Sequence, residues 1–414
     1  VHVFAKRGPK ASSRPLPAPS ARSLRGLDGF NFFIANIQTG FGPFIAVYLT
    51  AQAWTQVDIG FILTLSGIVA LAFQVPGGIL VDAVTHKRTL GAVAAATIAA
   101  SALMLAAWPI FPLVLGAEVL HGLASCLMGP VIAAISLGLV APHQIGERLG
   151  RNVRYASAGN GLAAILMGVC GRLLSPRAVF VLTAALALPA LAALFRIRRE
   201  EIDPIRARGG EATGGAAPRT RQGIVDNPPL LIFGAGLILF SLGNTPMLPL
   251  VGAIVTMRSS QWATVLIAAC IVVPQIFVAI LSPWVGRQSE KWGRRPLLLL
   301  GFAALPLRGI LFAVLTSPYL LVAVQILDGV SAAVLGVMLP LVVADVTRGT
   351  GRYNAALGSV GAATAVGASL STTLAGYVDD RFGNAVAFLS LAGVAIVGLG
   401  LLILLMPETR PKEP

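Results

Sequence analysis

Long apolar runs broken by short polar segments set the rhythm of the chain. Twelve runs are predicted, at about 27–50, 58–83, 89–107, 110–140, 151–171 and 177–196, then 229–256, 262–285, 296–316, 318–344, 353–376 and 384–406. Each is long enough to cross a hydrocarbon layer of about 30 Å. Backbone polar groups in that layer must be satisfied internally, and short connections between long apolar runs select helices over a barrel. The predicted fold class is an all-α membrane protein, with 12 transmembrane helices in two pseudo-symmetric six-helix halves, 27–196 and 229–406. A polar linker covers 197–228, a disordered basic tail 1–26 and a short tail 407–414. Gly42-Pro43 in the first run, with Pro246 and Pro249 in the seventh, predict kinks.

Composition narrows this further. The 414 residues are 56% hydrophobic and only 12% charged, against roughly 25% charged in soluble domains. A net charge of +14 would suggest nucleic acid in a soluble protein. Here the cations lie in the tails and between the runs, so the expected partner is the lipid bilayer and no nucleic acid. With both termini on one face, 26 of the 31 Lys and Arg residues fall on that face. Arg172, Arg177, Arg258 and Arg381 fall on the other, and Arg308 lies inside a run. The positive-inside rule makes the rich face cytoplasmic. A bacterial cytoplasmic (inner) membrane is the expected location, with the first run a retained anchor rather than a cleaved signal. Cys126, Cys170 and Cys270 all sit in apolar runs without metal-ligand spacing and are expected to be buried thiols. No metal and no cofactor is expected.

The halves repeat. Gly78 and Asp82 recur as Gly286 and Glu290, 208 residues on, and Lys87 recurs as Arg295 at that spacing. Gly122 and Gly129 recur as Gly329 and Gly336 at 207, and Gly159 and Gly168 as Gly358 and Gly367 at 199. Parallel repeats of this kind place a substrate path at their interface. The loop Gly286-x-x-x-Glu290-Lys291-x-Gly293-Arg294-Arg295 resembles the hallmark loop of the major facilitator superfamily. The copy at Gly78, Asp82, Lys87 and Arg88 looks like its first-half version, with Ala83, Thr85 and His86 where a cation, Gly and Arg are usual. The resemblance implies alternating access, two rigid halves rocking about a central site. It also implies that each loop acid sits at the positive end of a helix in the other half. Asp82 would face the start of the eleventh run near Arg352, and Glu290 the start of the fifth near Arg151 or Arg154.

Ionisable groups in mid-membrane are costly and tend to be functional. Glu118 and His121 share a helix face in the fourth run, and the repeat puts Gln325 and Asp328 in the equivalent places. Glu118-x-x-His121-Gly122 resembles the fourth-span motif of 12-span drug:proton antiporters, which usually carries Arg where Glu118 stands. Burial disfavours the charged form of either group. Glu118 is therefore the leading proton-coupling candidate, with His121 as its partner or bound to it in a static hydrogen bond. Asp328 and Asp28 are further candidates, Asp28 being less buried by depth. Arg308 reaches the same depth as Asp328 and is expected to tie to it structurally. Asn36, Gln38, Asn244, Gln275 and Gln325 are candidate cavity-lining residues.

No Gly-x-Ser-x-Gly elbow, phosphate loop, His-Glu-x-x-His or cysteine metal cluster is present in the sequence, so the chain is not expected to be an enzyme. The expected function is secondary active transport, as a monomer, by proton-coupled efflux of small amphipathic organic compounds. The partners would be a small-molecule substrate and protons. Uptake of a small organic solute is the alternative, because Arg172 follows Gly171 where the exporters carry proline. A non-transporting receptor on the same scaffold is a third reading. Because the second loop copy is the more intact, Glu290→Gln should slow transport more than Ala83→Arg at equal protein levels. Equal rates in a flux assay would refute that ranking.

Overall fold

The computed structural model describes residues 19–41, 43–210, 227–258 and 263–411. Most of the basic tail, linker residues 211–226, Gly42 and the last three residues lie outside the described residues. Every regular element among the described residues is a helix. In order, the spans are Ala21–Gly40 with Pro43–Ala51, Gln56–Ala83, Lys87–Ala107, Phe111–Leu139, Ile145–Leu173 and Pro176–Phe195. The second six are Pro228–Asn244 with Met247–Arg258, Ala263–Trp292, Arg295–Val314, Pro318–Val324 with Ile326–Val346, Tyr353–Phe382 and Asn384–Leu405. Eleven are long and apolar enough to cross a membrane. The fifth is the exception: Glu147, Arg148, Arg151 and Arg154 crowd its first turns, and the remainder, 155–173, is made less apolar by Asn160 and Arg172.

Local chemistry sets the helix ends. The side chains of Thr55, Ser175 and Asn227 accept hydrogen bonds from backbone N–H groups of the second, sixth and seventh spans, satisfying donors that a helix start leaves free. Ser20 does the same for the first span, which begins at Ala21 rather than 27. Residues 21–26 are thus helix and not tail, and Gly26 lets that first turn lie against the Ala193 carbonyl of the sixth span. The first and seventh spans are broken at matching places, before Pro43 and around Pro246, and the tenth is broken at Gln325.

Each half has its own apolar core. Phe30, Tyr48, Ile98, Phe180 and Leu194 are buried in the first, and Phe233, Phe302, Phe312, Val334 and Phe388 in the second. The halves meet through two equivalent pairs, the second span against the eleventh and the eighth against the fifth. Glycine permits both. A Cβ on Gly78 would strike the Asn354 carbonyl, and one on Gly286 the Gly146 carbonyl. A Cβ on Gly358 would strike the Gln74 carbonyl, and one on Gly150 the Ser282 carbonyl. Each residue of one pair is 208 positions from its counterpart in the other.

The fifth and eleventh spans therefore obey the same 208-residue spacing as the loops. Gly150 matches Gly358, and Gly159, against the Phe32 carbonyl, matches Gly367, against the Ile238 carbonyl. The pairing at 199 is a coincidence of two glycine-rich segments. The contacts between the halves at Gly78, Gly150, Gly286 and Gly358 lie toward the face that carries the 83–87 and 292–295 turns, called here the loop face. Toward the far face the halves part. A Cβ added at Gly168 or Gly376, again 208 apart, would meet no described atom within 4 Å, and Leu173 and Tyr377 are exposed.

Alanine is favoured over glycine in a helix by up to about 1 kcal/mol, so propensity alone predicts that Gly→Ala stabilises at any of these positions. We expect the opposite for Gly150→Ala and Gly358→Ala, which drive a methyl into backbone, and neutrality or a gain for Gly168→Ala and Gly376→Ala. Thermal unfolding of the purified variants reads the sign.

Candidate functional site

The loop face is closed by charge as well as by backbone contact. Asp82, at the end of the second span, accepts from the backbone N–H groups of Asn354 (3.1 Å) and Ala355 (2.9 Å) and from Asn354 Nδ2 (2.8 Å). It thereby caps the eleventh helix, immediately after Arg352, where free N–H groups and the helix dipole favour a carboxylate. Glu290 lies at the equivalent place, since a Cβ on Gly146 would stand 3.1 Å from its Oε1. Its ion pair is with Arg294 on its own side, at 3.2 Å. Arg151 and Arg154 do not take it. The fifth helix starts at Ile145, so Arg151 is well inside it and turns to Asp28.

The cations of the two loop copies match in their bonds. Lys87 donates to the Val81 carbonyl and Arg294 to the Ser289 carbonyl. Arg88 donates to the Ile197 carbonyl (2.6 Å) just past the sixth span, and Arg295 to the Ile403 carbonyl (2.5 Å) near the end of the twelfth. Lys87 thus corresponds to Arg294, not Arg295, because the first copy has one more residue between its acid and its cation. Gly293 has φ +89°, a conformation that suits glycine, and it lies against the Glu408 carboxylate. Glu408 accepts from the N–H groups of Arg294 (2.8 Å) and Arg295 (3.0 Å), capping the ninth span. Lys291 is exposed, and its carbonyl accepts from Arg410 at 3.3 Å.

Within the first half, Glu118 is only 3% exposed. Its Oε1 has no hydrogen-bond partner among the described residues, and its backbone carbonyl accepts from Ser66 Oγ at 2.9 Å. His121 is not its partner. The imidazole pairs with Ser125 Oγ at 3.0 Å and stacks on Phe41, with centroids 3.8 Å apart and planes at 5°, beside the break in the first span. The ring is held by that stack, so the two groups share a helix face without a bond between them.

Asp28 is 4% exposed, more buried than its depth implied. Arg148 and Arg151 each approach one of its oxygens at 2.5 Å. Arg148, itself buried, also donates to Asn152 Oδ1 through Nε (2.9 Å) and a terminal nitrogen (2.7 Å). Asn31 Nδ2 reaches the same oxygen at 3.3 Å, and Asn152 Nδ2 donates to Ser136 Oγ at 2.7 Å. The network joins the first, fourth and fifth spans. Arg148 was missed because the sequence pattern put the start of the fifth span at 151, and Asn152 because nothing set it apart from the other amides of the apolar runs. The recurrence of Arg148, Arg151 and Asn152 at helical spacing was the available signal.

In the second half, Arg308 is 2% exposed and ion-pairs with Asp328. It also donates to Met247 Sδ (3.3 Å) and to the Asn244 carbonyl (3.5 Å), and lies over the Phe312 ring at 5.7 Å. Asn244 Oδ1 and Gln325 Oε1 are buried with no partner among the described residues.

Between the halves lies a cavity of about 400 Å³, toward the loop face. Its polar wall is Asn31, Gln74, Ser125 and Asn152, and Cys126, Pro130, Val153, Leu339 and Leu357 supply apolar surface. None of the five amides expected there lines it. Asn36 donates to the Phe32 carbonyl of its own helix at 2.8 Å and sits against Gly159. Gln38 is half-buried, and Gln275 faces Gly161 where the halves begin to part. Arg148 reaches the cavity only through Asn152, so the cavity presents hydrogen-bonding groups and no unpaired charge. Its size falls in the range of small-molecule sites, about 300–1,000 Å³.

Comparison with known proteins agrees with this geometry. The sequence is 39% identical, over 399 residues and 95% of both chains, to an uncharacterised MFS-type transporter of Mycobacterium tuberculosis (strain H37Rv). Shorter matches reach the class B tetracycline resistance protein of Escherichia coli (30% over 101 residues, 24% of this chain and 25% of that one). Another is multidrug resistance protein 1 of Bacillus subtilis (27% over 193 residues, 45% and 48%). The fold resembles that of the human organic anion transporter MFSD10 (TETRAN), with a TM-score of 0.68 at 15% identity over 92% of this chain and 99% of that one. The profile of the Major Facilitator Superfamily matches residues 29–273 and 235–414, and the chain belongs to that family of transporters.

Proposed function

We propose that this transporter is a proton-coupled exporter of small amphipathic organic compounds, working by alternating access in a bacterial cytoplasmic membrane with its loop face in the cytoplasm. The observation that carries this reading is the interface between the halves. It is sealed by glycine contacts and the Asp82 cap on one side of an uncharged cavity, and parted on the other. Rocking about such an interface exposes the cavity to each side in turn. An outward-parted, cytoplasm-closed arrangement is the state from which an exporter releases its load. Weak similarity to tetracycline and multidrug resistance proteins supports export. Proton-coupled uptake is the second reading, favoured by the unbroken fifth span, in which Arg172 stands where exporters carry proline. The protein is proposed to act as a monomer, without enzymatic activity.

Glu118 is the proposed proton carrier. A buried carboxyl with an oxygen that no donor among the described residues satisfies is suited to take up and release a proton as access changes. Asp28 and Asp328 are already held by arginine, and His121 by Phe41 and Ser125, which makes them weaker carriers. In right-side-out and inside-out vesicles under opposite proton gradients, wild-type protein should move an amphipathic dye against the direction of proton flow. Glu118→Gln should lose at least tenfold of the gradient-driven rate while retaining dye binding. Full gradient-driven transport by Glu118→Gln would sink the carrier assignment, and dye flow in the proton's own direction would favour uptake.

A further inference from the structure

In the second half, Arg294 of the loop is anchored by an acid of the tenth span, Asp345, at 2.7 Å. The first half lacks that acid. Lys87 corresponds to Arg294 at a spacing of 207, the spacing that also relates Gly122 to Gly329 in the fourth and tenth spans. By the same spacing Asp345 corresponds to Gly138. Lys87 is buried, yet among the described residues it makes no ion pair and donates only to the backbone carbonyls of Val81 and Asp82.

The place of the missing side chain is filled from elsewhere. Residues 197–210, which leave the sixth span, fold back across the loop face in two short 3-10 turns. A Cβ on Gly138 would stand 2.7 Å from Ile202 Cγ2 and 3.1 Å from the Asp203 carbonyl, so glycine is what lets this strap lie down. The Gly138 carbonyl accepts from the Asp203 N–H (3.0 Å) and the Arg206 guanidinium (3.2 Å). The strap is pinned to the first half at its other end too. Glu201 accepts from the N–H and Oγ of Ser20, both at 3.0 Å, and the Arg198 N–H donates to Ser23 Oγ at 3.0 Å.

Its far end crosses to the other half. The Ala207 carbonyl accepts from Asn354 Nδ2 at 3.1 Å, and the Gly209 carbonyl from the Gly349 N–H at 2.7 Å. Asn354 is the residue whose N–H and side chain also bind Asp82. One buried amide of the second half is thus gripped at once by the loop acid and by the strap.

We infer that residues 197–210 are a third element of the loop-face gate. Anchored on Gly138 and Ser20, they bolt the Gly349–Asn354 segment to the first half. When the halves rock open at this face, the two crossing bonds must break together with the Asp82 cap. The strap therefore biases the transporter toward the loop-face-closed state. The inference rests on alternating access and on no assumption about substrate or coupling ion.

The test uses full-length protein in lipid nanodiscs, with its three cysteines replaced and spin labels at His143 and Arg287. These are exposed positions on opposite halves, His143 just before the fifth span and Arg287 within the eighth, away from the strap. Dipolar line broadening then reads the short closed distance and double electron–electron resonance the longer open one, without any ligand. Gly138→Val lifts the strap from the first half, and Glu201→Ala combined with Asp203→Ala releases it by a separate route, neither touching the second half. In protein that remains folded, each should lower the closed-to-open ratio by about fivefold, the equilibrium value of one net hydrogen bond. If Gly138→Val does not fold, the double variant carries the test. Distributions that superimpose on the parent in the folded strap variants would overturn the inference, whatever Asp82→Ala does. A distance shift in a protein that proves to move no solute would leave the strap standing and remove the transport reading instead.

Discussion

Backbone touching backbone is the constraint on which the rest depends. Four glycines bring the second span against the eleventh and the eighth against the fifth so closely that a methyl group at any of them would strike a carbonyl. In lipid, apolar side chains gain nothing from leaving water, so helix association rests on close packing and on polar contacts between backbones. Everything at the loop face follows from that proximity. Asp82 can reach the start of the eleventh helix only because Gly78 and Gly358 bring the helices together, and the cavity exists because the same helices diverge beyond it.

The two sides of this interface share geometry but not chemistry. Asp82 makes three hydrogen bonds across the halves, while Glu290 is drawn back to Arg294 on its own helix end. By motif, the second loop copy is the more intact. By contact, the first copy holds the halves more firmly, because Asn354 offers both an N–H and an amide where the equivalent Gly146 has no side chain. Resemblance to a motif measures the likeness of residues, whereas the strength of a gate depends on what those residues meet.

Much of the fold was legible in the chain. Twelve apolar runs, the breaks at Pro43 and Pro246, and the repeat of Gly78-Asp82 as Gly286-Glu290 all rest on strong local signals. Less was legible where membrane and charge conflict. The fifth span opens with Glu147, Arg148, Arg151 and Arg154, so hydropathy placed its start too late and hid the partners of Asp28. The break of the tenth span at Gln325 carries no proline and gave no sign. The extra residue in the first loop copy shifted the match of Lys87 by one. The cavity's polar wall, Asn31, Gln74 and Asn152, could not be chosen among many amides until the helices had a register, since neutral side chains in a small-residue interface have no periodic signature of their own.

Glu408 carries a consequence for how the second half is assembled. The N-terminus of the ninth helix is capped by this carboxylate, which lies 114 residues further along the chain than the Arg294 N–H it receives. Chains emerge from synthesis N-terminal part first, so the ninth span enters the bilayer with the N–H groups of Arg294 and Arg295 still facing water. They are satisfied only when the twelfth span has been inserted and the chain has turned back at its end. Completion of this helix thus reports that the last span is in place, and the second half stays provisional until then.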